Sequence, residues 1–198
     1  PVDTIPPLQI SILDNFLALE IIEQTDKKLV AKDFLNLSEF SLDTTIRRMD
    51  MLTRSMLSDA KKGRQEAKAV VIMDFEVDKL FFLLSRLIKA GLMNESSKFD
   101  HVQAISLWWL AKNIESIADS AKYLCENLTK QELDLFEEAE SYYKEAITSY
   151  FKKDRVGADK LIMKRPVLLE KADKLKNKEL LKQIINNSRN IAKIVLDY

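Results

Sequence analysis

Ile72-Met73-Asp74-Phe75-Glu76-Val77-Asp78-Lys79-Leu80 carries two patterns at once. Its apolar residues recur at helical intervals, and Asp74 and Asp78 stand four apart, about one helical turn or roughly 6 Å along an axis. A second stretch, Asn113-Ile114-Glu115-Ser116-Ile117-Ala118-Asp119-Ser120, repeats the arrangement with Glu115 and Asp119. Each pair places two carboxylates on one helical face. Each also flanks an apolar stripe, since Asp74 and Asp78 follow Met73 and Val77, and Glu115 and Asp119 follow Ile114 and Ala118. If adjacent antiparallel helices present these flanks to one another, four carboxylates converge, and they raise one another's pKa unless a cation neutralises them. An all-oxygen set suits Mg, Ca or Mn, and carboxylate-rich helical sites also take iron and zinc. The plain alternative is a solvated face on which the acids pair with Lys79, Arg86, Lys112 or Lys122. Charged residues make up 31% of the chain, so such spacings also arise by chance.

Outward from these stretches the apolar spacing is helical almost throughout. It predicts a first helix over residues 38–61, with Phe40, Ile46, Met49, Leu52, Met56 and Leu57 on its inner side. The second covers 65–92, with a seam of Met73, Val77, Leu80, Leu84 and Leu87. A third covers 100–128, lined by Leu107, Leu110, Ile114, Ile117, Ala121, Leu124 and Leu128. Thr129 and Glu132 give a capping-box spacing that starts a fourth helix to Lys153. A fifth runs from Asp154 to Lys176, kinked or restarted near Pro166, and a sixth from 177 to the end. Before them, a short helix is expected over residues 8–18 and a β-hairpin over 19–24 and 29–34. The fold class is all-α: two repeated three-helix bundles preceded by a short helix and a hairpin. The domain division is 1–36, 37–128 and 129–198.

With 31 basic and 31 acidic residues the net charge is zero, which argues against bulk attraction to nucleic acid or an anionic membrane. Only 3 glycines and 4 prolines are present, too few turn formers for a many-stranded fold. The single cysteine, Cys125, makes no internal disulfide, suits a reducing compartment and reads as a packed or surface thiol. Lacking a recognisable signal peptide or an apolar run near the ~20 residues a membrane span needs, the chain is expected to be cytoplasmic. Trp108 and Trp109 point about 100° apart on a helix, and core packing is the expectation for them. Arg47, Arg48, Lys61, Lys62 and Arg64 form a basic patch in the sequence, as do Lys171, Lys174, Lys176, Lys178 and Lys182. Both read as solvated faces. No phosphate loop or nucleophile elbow is present.

The two acidic stretches resemble the E(D)-x-x-x-D signatures of PhoU-type phosphate-uptake regulators. The second typically reads Glu-Arg-Ile-Gly/Ala-Asp-His-Ala in that family, where this chain has Glu115-Ser116-Ile117-Ala118-Asp119-Ser120-Ala121. The hairpin and Thr44-Thr45-Ile46-Arg47-Arg48-Met49-Asp50-Met51-Leu52 resemble its archaeal branch, which often carries an upstream AbrB-like DNA-binding domain. The chain begins without Met, and an upstream segment is expected to have been removed. The resemblance implies a non-enzymatic regulator with a metal site at Asp74, Asp78, Glu115 and Asp119, holding a divalent or trivalent ion, often iron or zinc. It implies as partners a phosphate ABC transporter ATPase or a regulatory protein, and a homo-oligomer such as a dimer. DNA would be reached only through the missing upstream domain. The alternative is the dimerisation or effector module of a phosphate-responsive transcription regulator. A metal-dependent hydrolase is the third reading, and no general base beyond the acids supports it.

The two halves repeat imperfectly. Asp78-Lys79-Leu80 matches Asp173-Lys174-Leu175 at an offset of 95, and Ile117-Ala118-Asp119 matches Ile191-Ala192-Lys193 at an offset of 74. This alignment puts Leu169 at the place of Asp74, Arg189 at Glu115 and Lys193 at Asp119, so a second metal site is expected to be dead.

Overall fold

Six apolar stripes at helical spacing become six helices in the computed structural model, which describes residues 19–25, 28–33, 35–93 and 100–197. They are α1 (Leu42–Ala60), α2 (Ala67–Met93), α3 (His101–Asn127), α4 (Leu133–Lys152), α5 (Arg155–Ala172) and α6 (Lys178–Leu196). An antiparallel hairpin, β1 (Leu19–Gln24) and β2 (Leu29–Asp33), precedes them, with a bulge between Ile21 and Glu23. Thr25 N–H donates to the Lys28 carbonyl at 2.8 Å to close it. The hairpin is tied to α2 by an ion pair between Asp33 and Arg86. The short helix expected over residues 8–18 lies outside the described residues.

Local chemistry sets the helix ends. Ser41 caps α1 through its hydroxyl, which accepts from Thr44 N–H at 3.1 Å. The expected start at residue 38 is instead a single 3-10 turn, Leu37–Glu39, so Phe40 precedes the helix and is 37% exposed. Asp154 caps α5 by accepting from Gly157 N–H at 2.9 Å. That helix then runs unbroken through Pro166 and stops at Ala172, without the expected restart. At the capping-box sequence the Glu132 carboxylate does reach back to Thr129 N–H, at 2.9 Å. Thr129 caps nothing, however: its hydroxyl donates to the same carboxylate at 2.8 Å, and α4 begins only at Leu133.

α1, α2 and α3 pack against one another, and so do α4, α5 and α6. The two triples share one continuous hydrophobic core, joined where α3 lies on α6 and, less extensively, where α1 meets α4. At the first junction Asn190 Nδ2 donates to Asn113 Oδ1 at 3.1 Å. At the second, buried Asp50 accepts from the Tyr143 hydroxyl at 2.8 Å and from Arg54 Nε at 2.8 Å. Glu132, fully buried between the two turns, accepts from Asn177 N–H at 2.6 Å and from its amide at 2.8 Å. The buried carboxylates Asp50 and Glu132 are thus met by donors, as burial requires.

The repeat is real in the structure, at a different register. Buried positions of α2 recur in α5 at an offset of 91 (Val70 and Leu161, Val77 and Leu168). Those of α3 recur in α6 at 67 (Ile114 and Leu181, Ile117 and Ile184, Ala118 and Ile185, Leu124 and Ile191). Cross-helix contacts agree. Asp74 reaches Lys122 in the first bundle, while Arg165 reaches Asn186 and Asp173 reaches Lys182 in the second. The sequence offsets of 95 and 74 are wrong by whole helical turns, a slip that leaves every apolar face in place. The corrected equivalents of Asp74, Asp78, Glu115, Asp119 and Lys122 are Arg165, Leu169, Lys182, Asn186 and Arg189.

The Asp50 contact is testable. Tyr143→Phe removes a hydroxyl with no access to solvent and leaves Asp50 with Arg54 alone. Urea denaturation is expected to show a loss of about 1–2 kcal/mol. An unchanged midpoint would mean that the hydrogen bond contributes nothing to holding α4 on α1.

Candidate functional site

The flanks of α2 and α3 face each other across a groove, and all four predicted acids line it. Val77 and Leu80 on α2 and Ile114 and Ile117 on α3 are drawn into the core. The residue after each seam position is thereby placed at the groove's rim. Asp74 is buried at 7% exposure, while Asp78, Glu115 and Asp119 are half-buried.

A lysine that the metal reading had set aside occupies the same groove. Lys122 Nζ lies 2.5 Å from Asp74 Oδ2 and 2.9 Å from Asp119 Oδ1, bridging the two helices. Burial works against its charge, but the hydrogen bonds it donates to Asp74 and Asp119 outweigh it and hold the ammonium well above its ordinary pKa. Burial also keeps Asp74 above the usual carboxylate range despite the contact with Lys122. Glu115 is engaged elsewhere, accepting from Lys112 Nζ at 2.6 Å and from the Ser116 hydroxyl at 3.2 Å.

Asp78 is the exception. It makes no hydrogen bond or ion pair with any described residue. Burial first, and then the charges of Asp74, Asp119 and Glu115, push its carboxyl up to about 6, against the weaker pull of Lys122. The four acids therefore do sense one another, as the sequence spacing required. They are not gathered into a ready ligand set: among the described residues no three His, Cys, Asp or Glu side chains stand close enough to hold one metal ion. The donor chemistry fits a hard cation, and the unpartnered Asp78 is the group that such an ion would relieve. Lys122 holds part of that place. The bland pairing with Lys112 and Lys122 thus describes Glu115, Asp74 and Asp119, and fails for Asp78.

Other expectations divide. Trp108 and Trp109 are not core residues: they are 42% and 44% exposed, with Phe81 6.3 Å from Trp108 between ring centroids. Helical phase could not have placed them, because Trp109 directly precedes the buried Leu110 and Trp108 directly follows the partly buried Leu107. The basic run on α1 dissolves into local contacts, Arg47 with Asp43, Arg48 with Glu76, Lys61 with Glu140 and Lys62 with Asp59. Cys125 is buried, donates to the Gly63 carbonyl at 3.3 Å, and burial raises its thiol pKa, all of which keep it unreactive. Sequence reasoning named Lys122 among the partners of the acids in the plain alternative but left it out of the metal site. Its signal was present, three residues after Asp119, where a helix puts it on the same face.

Comparison with known proteins bears on this bundle directly. The family model of the PhoU domain matches residues 46–128, which take in α2, α3 and all four acids. The crystal structure of PhoU from Pseudomonas aeruginosa superposes with a TM-score of 0.66 at 15% identity, covering 78% of this chain and 93% of that one. At that identity the likeness is one of fold. No curated protein matches the chain.

Asp78 gives the groove a pH signature. Its folded pKa lies above its unfolded value, so the folded state binds more protons between about pH 4 and 6. Stability is expected to fall as pH rises through that window and to level off above it, and Asp74 adds to the same slope. Asp78→Asn should flatten the slope and be more stable than wild type at pH 7 by about 1 kcal/mol after allowance for solvent screening. Parallel denaturation curves at pH 4 and 7 measure it, and a variant less stable at pH 7 contradicts the assignment.

Proposed function

We propose that this chain, whose residues 46–128 match the PhoU domain, is a PhoU-type protein that regulates phosphate uptake and phosphate-dependent signalling by binding a partner, without catalysis of its own. The observation that carries the reading is the surface beside the acidic groove. Val102, Ile105, Trp108 and Trp109 of α3 and Phe82 and Leu92 of α2 are all more than a third exposed. Phe82, Leu92, Ile105 and Trp108 line a single cavity of about 390 Å³. Clustered aromatic surface of this kind is the composition of protein contacts, where large rigid rings bury area at small entropic cost. Among the described residues no helix is long and apolar enough to cross a membrane. The partner we propose is the ATPase subunit of a phosphate ABC transporter, or a regulatory protein, met in the cytoplasm by a homodimer of this chain.

The groove makes that binding metal-dependent in this proposal. Asp74, Asp78, Glu115 and Asp119 would hold a divalent or trivalent cation, iron or zinc by family resemblance and Mg, Ca or Mn by donor type. Such an ion would neutralise the acids and stiffen the α2–α3 pair next to the docking face. Lys122 carries the competing charge. Its displacement from Asp74 and Asp119 is what would free those two carboxylates for the ion.

Two measurements separate the parts. Metal analysis of purified protein is expected to find bound ion in wild type and less than about a tenth of it in Asp78→Ala/Asp119→Ala. Full retention by the double variant would remove the site assignment, and no ion in either protein would remove the metal altogether. Trp108→Ala/Trp109→Ala is expected to leave the melting temperature within a few degrees and to weaken co-purification with the transporter ATPase at least tenfold. If wild type fails to co-purify in both high and low phosphate, the effector module of a transcription regulator becomes the better reading.

A further inference from the structure

The second bundle has the same groove with the charge reversed. At the places corresponding to Asp74, Asp119 and Lys122 it carries Arg165, Asn186 and Arg189. Arg165 Nε donates to Asn186 Oδ1 at 2.8 Å, which ties α5 to α6. Asn186 and Arg189 are three apart on α6, so they share a face with Arg165 opposite. Both guanidinium groups also lie near enough to Tyr142 on α4 to act on its phenol, whose hydroxyl is occupied with the Leu161 carbonyl at 2.7 Å.

Neither arginine is neutralised. Arg165 has only the neutral amide of Asn186. Arg189 makes no hydrogen bond or ion pair with any described residue, and its Nε is buried with nothing to donate to. Glu145, a carboxylate felt at Tyr142, accepts from Lys164 at 3.1 Å, and Asp173 is held by Lys182 at 2.5 Å. A guanidinium presents five donors in a planar fork matched to the oxygens of an oxyanion. Two such forks held on facing helices, with one Nε already stripped of water, lack only an acceptor. In the first bundle the equivalent place is filled by the lysine–carboxylate bridge. Here no described residue fills it.

We propose that Arg165 and Arg189, positioned by Asn186, form a binding site for a small oxyanion, with inorganic phosphate as the probe. Charge-assisted, bidentate hydrogen bonds to the two guanidinium groups would supply the affinity. This site is separate from the acidic groove and does not depend on metal there.

The test is calorimetric titration of the purified chain with sodium phosphate and, separately, sodium sulfate, in chloride buffer of matched ionic strength. Saturable one-to-one binding to wild type is expected, weakened at least about tenfold in Arg189→Gln and in Arg165→Gln. Lys178→Gln, which removes a charge from the same helix but leaves both arginines, is expected to bind within about twofold of wild type. Circular dichroism checks each fold, and should one arginine variant unfold, the other carries the test. Phosphate binding without sulfate binding makes the site selective, and binding of both makes it a general oxyanion site. No saturable binding to wild type overturns the proposal. So does wild-type affinity in a folded arginine variant, or an equal loss in Lys178→Gln, which would reduce the effect to net charge.

Discussion

The structure depends on two helices that must be apolar on more than one side. α3 packs on α1, α2 and α6, and α6 packs on α3, α4 and α5. α3 meets this with small residues among large ones, burying Ala111, Ala118, Ser120 and Ala121 beside Leu110, Ile114, Ile117 and Leu124. Small side chains let helices approach closely while the larger ones fill the space between. What remains is one narrow polar strip on each helix. On α3 it holds Glu115, Asp119 and Lys122, and on α6 it holds Lys182, Asn186 and Arg189. The two candidate sites lie on these strips.

Sharing a core changes what the bundles are. Each triple has the helices of a unit, yet the apolar cluster runs through both. Polar groups at the junctions act as registers. The Asp50–Tyr143 and Asn113–Asn190 hydrogen bonds can form at one axial setting only, and Glu132 fastens the α3–α4 turn to the residue before α6. An apolar interface tolerates sliding by a turn, and a buried carboxylate that must find its donors does not.

The two grooves then diverge by substitution at equivalent places. In the first, an internal lysine partly balances an excess of acids and leaves Asp78 over. In the second, arginines replace the acid and the lysine, an amide replaces the other acid, and nothing balances them. Neither arrangement follows from the bundle itself, since the same backbone positions hold opposite charges. Surplus charge at a half-buried helix flank lowers stability, so folding by itself does not account for it at either place.

The sequence by itself determined the six helices, most of their inner faces, the hairpin and the place of Asp74, Asp78, Glu115 and Asp119 on the flanks of two apolar stripes. All of these rest on short periods, the 3.6 residues of a helix and the alternation of a strand, which neighbouring residues reveal. The tertiary structure alone decided the register of one bundle against the other, the exposure of Trp108 and Trp109, and the partners of each charge. Helical periodicity fixes rotation about an axis and says nothing of translation along it, so offsets wrong by one or two turns fit the apolar pattern equally well. Lys122 could be placed on the right face from its spacing. That its ammonium would cross to Asp74 on another helix, leaving Asp78 without a partner, depends on how far the two helices are slid past each other.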